Sequence, residues 1–322
     1  MNNQKEYVLG VDIGGTNTVF GLVNRNGHVK EEITITTDAQ KGAEQLFSRI
    51  TDRIHSVLNN GITTSSIKAV GMGAPNANYF KNTIENAPNL GWKFVDVKKI
   101  FGQYLAKPLF ITNDANASAL GEMHFGAAKG MKNVIVITLG TGLGSGIIVD
   151  GDLVYGHDGF AGELGHVCVI PNGRQCKCGL NGCLETYVSA SGLKRTVHEL
   201  LAKNIGESIL RHNSIEDLEA VHIAEAAEKG DAIAQEAFEF TGKMLGISLA
   251  SFIAFSRPQA IILFGGLARA GQLLFEPTIR HMNNHVLPLF RDKIDVIPSG
   301  LHNGNSAVLG AAALAWHGLE RS

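Results

Sequence analysis

Three cysteines and one histidine stand close together in the sequence. His166 is followed ten residues later by Cys176, and then by Cys178 and Cys183. Three thiolates and one imidazole form a tetrahedral Cys₃His zinc site, and a closed set of four protein ligands is typical of structural zinc. Three free thiols or a disulfide are the alternatives, and a cytosolic chain disfavours the disulfide. The spacing therefore predicts a structural Zn²⁺ held by these four residues.

Two glycine-rich turns have similar sequences, and each lies between two predicted strands. They read Asp12-Ile13-Gly14-Gly15-Thr16-Asn17 and Leu139-Gly140-Thr141-Gly142-Leu143-Gly144, and a third pair, Gly265-Gly266, follows another predicted strand. Phosphates require backbone N–H groups at close range, which glycine permits. Neither turn is a P-loop or a dinucleotide fingerprint. One such turn alone would indicate a plain hairpin, whereas two turns and a third pair favour phosphate binding. Asp12 either holds Mg²⁺ indirectly or caps its turn.

Several carboxylates stand at positions suited to chemistry. Asn113 and Asp114 follow the predicted strand Leu109 to Thr112 and open a predicted helix. By position, Asp114 is either the N-cap of that helix or a general base at the carboxyl end of a strand, where it would accept a hydroxyl proton during phosphoryl transfer. Glu163 and Glu185 flank the cysteines and are either surface charges or rigidly held hydrogen-bond acceptors for a sugar.

Composition excludes several classes of protein. The 322 residues carry a formal net charge of −2 and are 44% hydrophobic, so neither intrinsic disorder nor a general nucleic-acid or membrane-surface binder is expected. Four cysteines do not make a secreted disulfide scaffold. We interpret Cys168, in the apolar run Val167 to Ile170, as a buried core thiol. With no signal peptide or membrane span recognised, we expect a cytoplasmic protein.

Strand and helix patterns alternate along the chain, which predicts an α/β fold. The first predicted elements are strands Val8 to Val11, Val19 to Val23 and Glu31 to Thr36, then a helix capped by Asp38 and stopped by Asn59-Asn60-Gly61. Further helices are predicted at Val95 to Leu105, Ala232 to Phe255 and Ser306 to Trp316. The strand–turn–strand pattern repeats, with Gly14 falling on Gly140 and Val23 on Val149. The repeat predicts two α/β units with a cleft between them, where ligands tend to bind.

Taken together, these motifs resemble the ROK family of sugar kinases and repressors, and among them the bacterial glucokinases. The resemblance implies two ribonuclease-H-like, actin- or hexokinase-like lobes that close over hexose and ATP. It implies a smaller lobe of residues 1–115 plus 303–322 and a larger lobe of residues 116–302 that carries the zinc loop. It also implies a homodimer.

The resemblance further implies a role for each candidate residue. Asp114 would be the catalytic base toward the sugar 6-hydroxyl. The sugar would be bound by Asn89, Asn113, Asp114, Glu163, His166 and Glu185. MgATP would be held by Asp12, Gly14, Gly15, Thr16, Asn17, Thr141, Gly142, Gly265 and Gly266, the last two near the adenosine. Zinc would be held by His166, Cys176, Cys178 and Cys183, which couples the metal to the substrate.

The expected reaction is phosphorylation of a hexose, with glucose first. Gly73-Ala74-Pro75-Asn76 departs from the Pro-Gly that many members have in the sugar-side loop, so the exact sugar is open. N-acetylglucosamine, N-acetylmannosamine, mannose, fructose and allose are the alternative acceptors, and polyphosphate is an alternative donor. A sugar-responsive regulator would need a helix-turn-helix ahead of Asp12, and only eleven residues precede it. A non-catalytic sugar-binding protein would show a damaged base or damaged phosphate turns.

Overall fold

The computed structural model describes residues 6–58, 63–212, 217–301 and 306–321, and these fall into two compact units. The first unit comprises Met1–Lys132, Gly146–Gly162 and Ser299–Ser322, and the second comprises Asn133–Ser145 and Glu163–Pro298. Residues 116–132 belong to the first unit because the helix they contain packs on the last helix of the chain. The lobe boundary predicted at residue 115 stays a prediction.

The first unit contains a five-stranded sheet in the order β3-β2-β1-β4-β8. Its strands are β1 (Tyr7–Ile13), β2 (Asn17–Asn24), β3 (Val29–Thr36), β4 (Ile67–Gly73) and β8 (Leu109–Thr112). The strands β1, β2 and β3 are antiparallel, whereas β1, β4 and β8 are parallel. A small antiparallel sheet of β5 (Ala77–Asn78), β6 (Thr83–Ala87) and β7 (Trp92–Asp96) lies between β4 and β8 in the sequence.

Helices cover both faces of this sheet, which explains the uninterrupted apolar sequence of β1. The helices are α1 (Ala43–Val57), α2 (Val97–Phe101), α3 (Asp114–Phe125) and α8 (Ser306–Arg321). Alternate residues of β1 face opposite sides: Leu9 belongs to a core with Phe47 of α1, while Val8 belongs to a core with Trp316 of α8.

The second five-stranded sheet has the order β11-β10-β9-β12-β13, which repeats the order of the first. Its strands are β9 (Val134–Leu139), β10 (Leu143–Val149), β11 (Asp152–Leu153), β12 (Ala260–Phe264) and β13 (Asp295–Pro298). The second unit also contains α4 (Ala190–Lys203), α5 (Ala220–Glu228), α6 (Ala232–Ser256) and α7 (Gln272–His285). The matching strand orders confirm the predicted internal repeat and the α/β class.

Helix α6 is long and apolar enough to cross a membrane by length and composition alone. Its most apolar window is 61% buried inside the protein, and the helix packs against α7 and α4. It is therefore the core helix of the second unit.

Some local predictions differ from the structure. Asp38 does not cap α1, since its carboxylate binds Lys41 and Arg49 instead, and α1 begins after Gly42. The predicted helix Val95 to Leu105 is shorter, because Val95 lies in β7 and pairs with Ile84 of β6. The carboxylate of Asp96 then caps α2 by accepting from the N–H of Lys99. The predicted stop at Asn59-Asn60-Gly61 lies outside the described residues.

The close packing of α8 on β4 depends on Gly71. A methyl group there would lie 1.9 Å from the carbonyl oxygen of Ala311, a backbone atom that cannot swing aside. We expect Gly71→Ala to destabilise the protein by about 2–3 kcal/mol, or about 5 °C of Tm, in thermal unfolding. Gly206→Ala is the control, because nothing lies within 4 Å of that position. Equal Tm values for the two variants would contradict this account of the packing.

Candidate functional site

Three neighbouring parallel strands of the first unit end at the same edge and bring Asp12 and Asp114 together. Asp12 pairs with Gly73, and Gly73 pairs with Thr112, two residues before Asp114. A methyl group at Gly73 would lie 3.2 Å from Asp12 Oδ1 and 3.7 Å from the Cα of Asp114. The edge of the sheet therefore places the predicted base beside the carboxylate predicted to serve Mg²⁺. Sequence analysis named Gly73 only as part of the Gly73-Ala74-Pro75-Asn76 segment and did not place it beside these two carboxylates.

The cap of α3 is Asn113, not Asp114. The side-chain oxygen of Asn113 accepts a hydrogen bond of 2.7 Å from the N–H of Asn116. Asp114 is the first helical residue, and its Oδ1 accepts a bond of 2.9 Å from the N–H of Ala115. The N-cap interpretation of Asp114 is therefore wrong, and the general-base interpretation stays open.

Both carboxyl groups hold their protons more tightly than usual. Burial, and to a smaller extent the charge of Asp114, raise the pKa of Asp12 to about 7. The Asp114 residue is open to solvent on one side, but its carboxyl is crowded by protein atoms, and this desolvation raises its pKa against the effect of backbone N–H donors. A cation bound near these two carboxyl groups would stabilise their ionised forms. The arrangement therefore fits a Mg²⁺ ion held through water.

We expect Asp12→Asn to stabilise the ligand-free protein, and more so at high pH. Because the folded pKa of about 7 exceeds the unfolded value of 3.8, ionisation of Asp12 lowers stability as pH rises from about 4 to 7, and the loss is complete above pH 7. Asparagine removes this loss, so Tm should rise by about 3 °C at pH 8 and by much less at pH 5. The exposed Asp52→Asn is the control. A rise of equal size at both pH values would contradict the expectation.

The first glycine turn joins β1 to β2. The N–H of Gly14 donates to the carbonyl oxygen of Asn17 at 3.0 Å, and Thr37 Oγ1 donates to the carbonyl oxygen of Gly14 at 2.7 Å. Gly15, Thr16 and Asn17 are exposed. These two hydrogen bonds fix the backbone of the turn, and its outer residues face solvent, as a phosphate-binding turn requires.

Two residues of the first unit that were predicted on the sugar side, Asn89 and Asn76, lie in the loops of the small sheet. Asn89 is exposed, and a methyl group at Gly15 would lie 3.2 Å from its carbonyl oxygen. Asn76 has a left-handed backbone (φ 52°), and its Nδ2 donates to the carbonyl oxygen of Asn86 at 2.8 Å. Asn89 therefore neighbours the first glycine turn, while Asn76 braces its own loop.

The second glycine turn and the Gly265-Gly266 pair come together in the second unit. The N–H of Gly140 donates to the carbonyl oxygen of Gly142 at 3.0 Å, and Thr141 is exposed. A methyl group at Gly265 would lie 2.6 Å from the carbonyl oxygen of Leu139, so the two backbones are in contact. The predicted phosphate residues thus form one group in each unit.

The four predicted zinc ligands converge in the second unit. Their ligand atoms all lie within 4.8 Å of one another, with 3.7 Å between the sulfurs of Cys178 and Cys183 and 3.8 Å between Cys176 Sγ and His166 Nδ1. Tetrahedral bonds of about 2.3 Å to sulfur separate ligands by about 3.7 Å. Within the described part of the chain, this cluster has the donor types and spacing of a closed zinc site.

Glu185 lies between this cluster and the second glycine turn. Its Oε1 accepts a bond of 3.0 Å from Cys176 Sγ and lies 3.9 Å from His166 Nδ1, and its Oε2 accepts a bond of 3.4 Å from the N–H of Leu143. Glu163 is exposed and precedes the short helix that carries His166. The cysteine segment, residues 176–183, therefore contacts Glu185 directly, and the role of Glu185 toward a sugar stays a prediction.

Cys168 is exposed, so its interpretation as a buried core thiol is wrong. The apolar run around it is not a core strand: the exposed Cys168 forms an isolated antiparallel bridge with the buried Cys183. It lies outside the group of four ligands.

Comparison with known proteins identifies the family of the chain. The sequence profile described as ROK family matches residues 8–317. The chain belongs to the ROK family. It is 34% identical to a glucokinase from Thermotoga maritima over 96% of this chain and 97% of that protein. It is 29% identical to a xylose repressor from Caldicellulosiruptor bescii over 92% of this chain and 75% of that protein.

A solved structure supports the same assignment. The crystal structure of a ROK family glucokinase from Streptomyces griseus, in complex with glucose and AMPPNP, is 33% identical to this chain. It superposes with a TM-score of 0.79 and covers 97% of this chain and 99% of its own. The predicted α/β class with two ribonuclease-H-like units is confirmed by this similarity and by the repeated strand order.

Proposed function

We propose that the protein is an ATP-dependent hexose kinase that phosphorylates the 6-hydroxyl of its sugar, with glucose as the preferred acceptor. The observation that carries this proposal is the placement of Asp114 at the carboxyl end of β8, beside Asp12, with Asn113 serving as the helix cap. The 34% identity to glucokinase over nearly the whole chain supports the same activity.

In the proposed reaction, a carboxylate oxygen of Asp114 accepts the proton of the sugar hydroxyl. The hydroxyl oxygen then forms a bond to the γ-phosphorus of ATP, and the bond from that phosphorus to the bridging oxygen breaks, releasing ADP. The two glycine turns supply N–H donors to the phosphates, and Asp12 would hold Mg²⁺ through water. The ion would neutralise charge on the phosphates.

We propose that the cluster of His166 and three cysteines holds a structural zinc ion. All four positions are protein ligands, which leaves none for a reactive water. With zinc bound, Cys176 would be a thiolate that no longer donates to Glu185. The metal would instead fix the proposed sugar-binding carboxylate through Cys183, which stands two residues before it in the chain. A reduced cysteine cluster and a supply of ATP fit the cytoplasm, which we propose as the location. The homodimer implied by the resemblance stays a prediction.

The test is an ADP-release assay with MgATP against a panel of glucose, mannose, fructose, allose, N-acetylglucosamine, N-acetylmannosamine and no sugar. We expect turnover with glucose well above the rest. Preferred turnover of another sugar would retain the mechanism and direct attention to the Asn76 loop. Absence of turnover on every sugar by zinc-loaded, folded protein with MgATP would contradict the proposal. A parallel series with polyphosphate as donor, in which the sugar phosphate is measured because no ADP is released, would identify the alternative donor.

A further inference from the structure

Arg174 is a buried cation just ahead of the three cysteines. Its side chain is 6% exposed. Burying a charged group is costly unless its hydrogen bonds are satisfied. None of the motifs above includes it, and sequence analysis missed it because a single arginine in a glycine-containing loop is usually a surface residue.

The guanidinium uses all five of its N–H groups. Nε and Nη2 donate to the two carboxylate oxygens of Glu199 at 3.0 and 2.7 Å. Nη1 donates to the carbonyl oxygens of Thr186 and Gly192 at 2.8 and 3.2 Å, and the second N–H of Nη2 reaches Thr196 Oγ1 at 3.0 Å. Only a planar fork with five donors satisfies this set.

The backbone of Arg174 is bound as well. Its N–H donates to the hydroxyl of Tyr187 at 2.8 Å, and its carbonyl oxygen accepts from the N–H of Gly182 at 2.8 Å. The guanidinium carbon also lies 4.6 Å from the centre of the Tyr187 ring. The residue thus joins the beginning of the cysteine segment to its end and to the first turns of α4.

The bond to Thr186 links Arg174 to Glu185. Thr186 directly follows Glu185, so this bond holds the peptide unit one residue beyond the Cα that carries the Glu185 side chain. In a second bond, Ser189 Oγ donates to the carbonyl oxygen of Glu185 at 2.7 Å. Ser189 is the N-cap of α4, so this bond connects Glu185 to the start of that helix. The carboxylate of Glu185 in turn touches Cys176 and the second glycine turn.

We propose that Arg174 is a positioning residue that fixes Glu185 and the cysteine segment for hexose binding. The proposal rests on the proposed function, in which Glu185 binds the sugar. Arg174 holds the segment indirectly, by its hydrogen bonds to the carbonyl oxygen of Thr186 and to residues of α4. In this proposal it contacts neither the substrate nor the metal. Its loss should therefore weaken sugar binding and loosen the metal while leaving the chemical step and MgATP binding intact.

The test compares Arg174→Lys and Arg174→Met with the same two changes at Arg195. Arg195 is the matched control because its Nε also contacts Glu199, at 3.3 Å, but its side chain is 47% exposed. We expect Arg174→Lys to raise the hexose KM about tenfold, with kcat and the MgATP KM within about twofold. Lysine keeps the charge, so the effect would report the lost hydrogen-bond geometry. Zinc release to a chromogenic chelator should be about tenfold faster, whereas the Arg195 variants should match the wild type in both measurements.

Folding is checked first by circular dichroism and Tm, and Arg174→Lys decides the test if Arg174→Met does not fold. An unchanged hexose KM in folded Arg174→Lys protein would overturn the proposal, as would a loss of kcat at constant KM. If the wild type phosphorylates no sugar, the proposed function fails and the role in sugar binding fails with it. The zinc-release comparison then tests the anchoring of the segment alone, and equal rates for Arg174→Lys and Arg195→Lys would overturn that too.

Discussion

Replacing Asp114 by asparagine is expected to lower kcat for hexose phosphorylation by about 10³-fold, the usual scale for loss of a general base. Asparagine has nearly the same shape as aspartate but cannot accept the hydroxyl proton. Hexose affinity, measured by calorimetry, should stay within about threefold, because the substitution keeps a polar side chain in place. Tm should not fall, since Asn113 caps α3 and the substitution removes a desolvated carboxylate.

The control for this variant is Asp96→Asn. Asp96 caps α2 in the same unit, where its carboxylate accepts from the N–H of Lys99 at 2.9 Å. Asparagine is also a good N-cap, so this variant should keep both its fold and its activity. Lost hexose binding together with a large fall in Tm for Asp114→Asn, but not for Asp96→Asn, would assign Asp114 a structural role instead.

The second large effect is expected at the cysteine cluster. We expect Cys178→Ser to lower bound zinc from about one ion per chain to near zero, because a serine hydroxyl does not replace a thiolate ligand at neutral pH. The hexose KM should rise tenfold or more, since Glu185 and His166 would lose their fixed positions. Elemental analysis and steady-state kinetics on the same preparation measure both.

Cys168→Ser is the matched control for this experiment. Cys168 and Cys178 are both exposed thiols of the same segment, but only Cys178 belongs to the group of four ligand atoms. The control should retain zinc and wild-type kinetics. A zinc-free Cys178→Ser protein with unchanged hexose affinity would refute the coupling of metal to sugar, and loss of zinc from Cys168→Ser would make Cys168 a ligand.

The regular elements were predictable where one local signal dominated. The apolar run of β1 and the long apolar helix α6 are both found close to their predicted bounds. The small sheet was missed because its strands are short and their burial does not alternate: Phe94 in β7 is 65% exposed. Asp38 was misread because an aspartate ahead of a helix has a second option, pairing with nearby cations such as Arg49.

The site was predictable to the extent that its residues carry motifs. Each glycine turn and the set of four predicted zinc ligands lie within a short stretch of sequence, and the structure brings the four ligand atoms within 4.8 Å of one another. Arg174 and Gly73 have no local signature, because their partners lie elsewhere in the chain and become visible only once the strands and α4 are in place. Sequence also left two roles open for Asp114, and the neighbouring Asn113 removed the capping role.

The position of α8 has a consequence for how the chain folds during synthesis. The face of the first sheet that carries Val8 is covered by α8, whose residues are translated after the whole second unit. Until then, this apolar face of an early-made sheet stays open to water and to other nascent chains. We therefore expect the first unit to complete its core only when α8 leaves the ribosome, and ribosome-bound fragments that end before Ser306 to be protease-sensitive there and bound by chaperones.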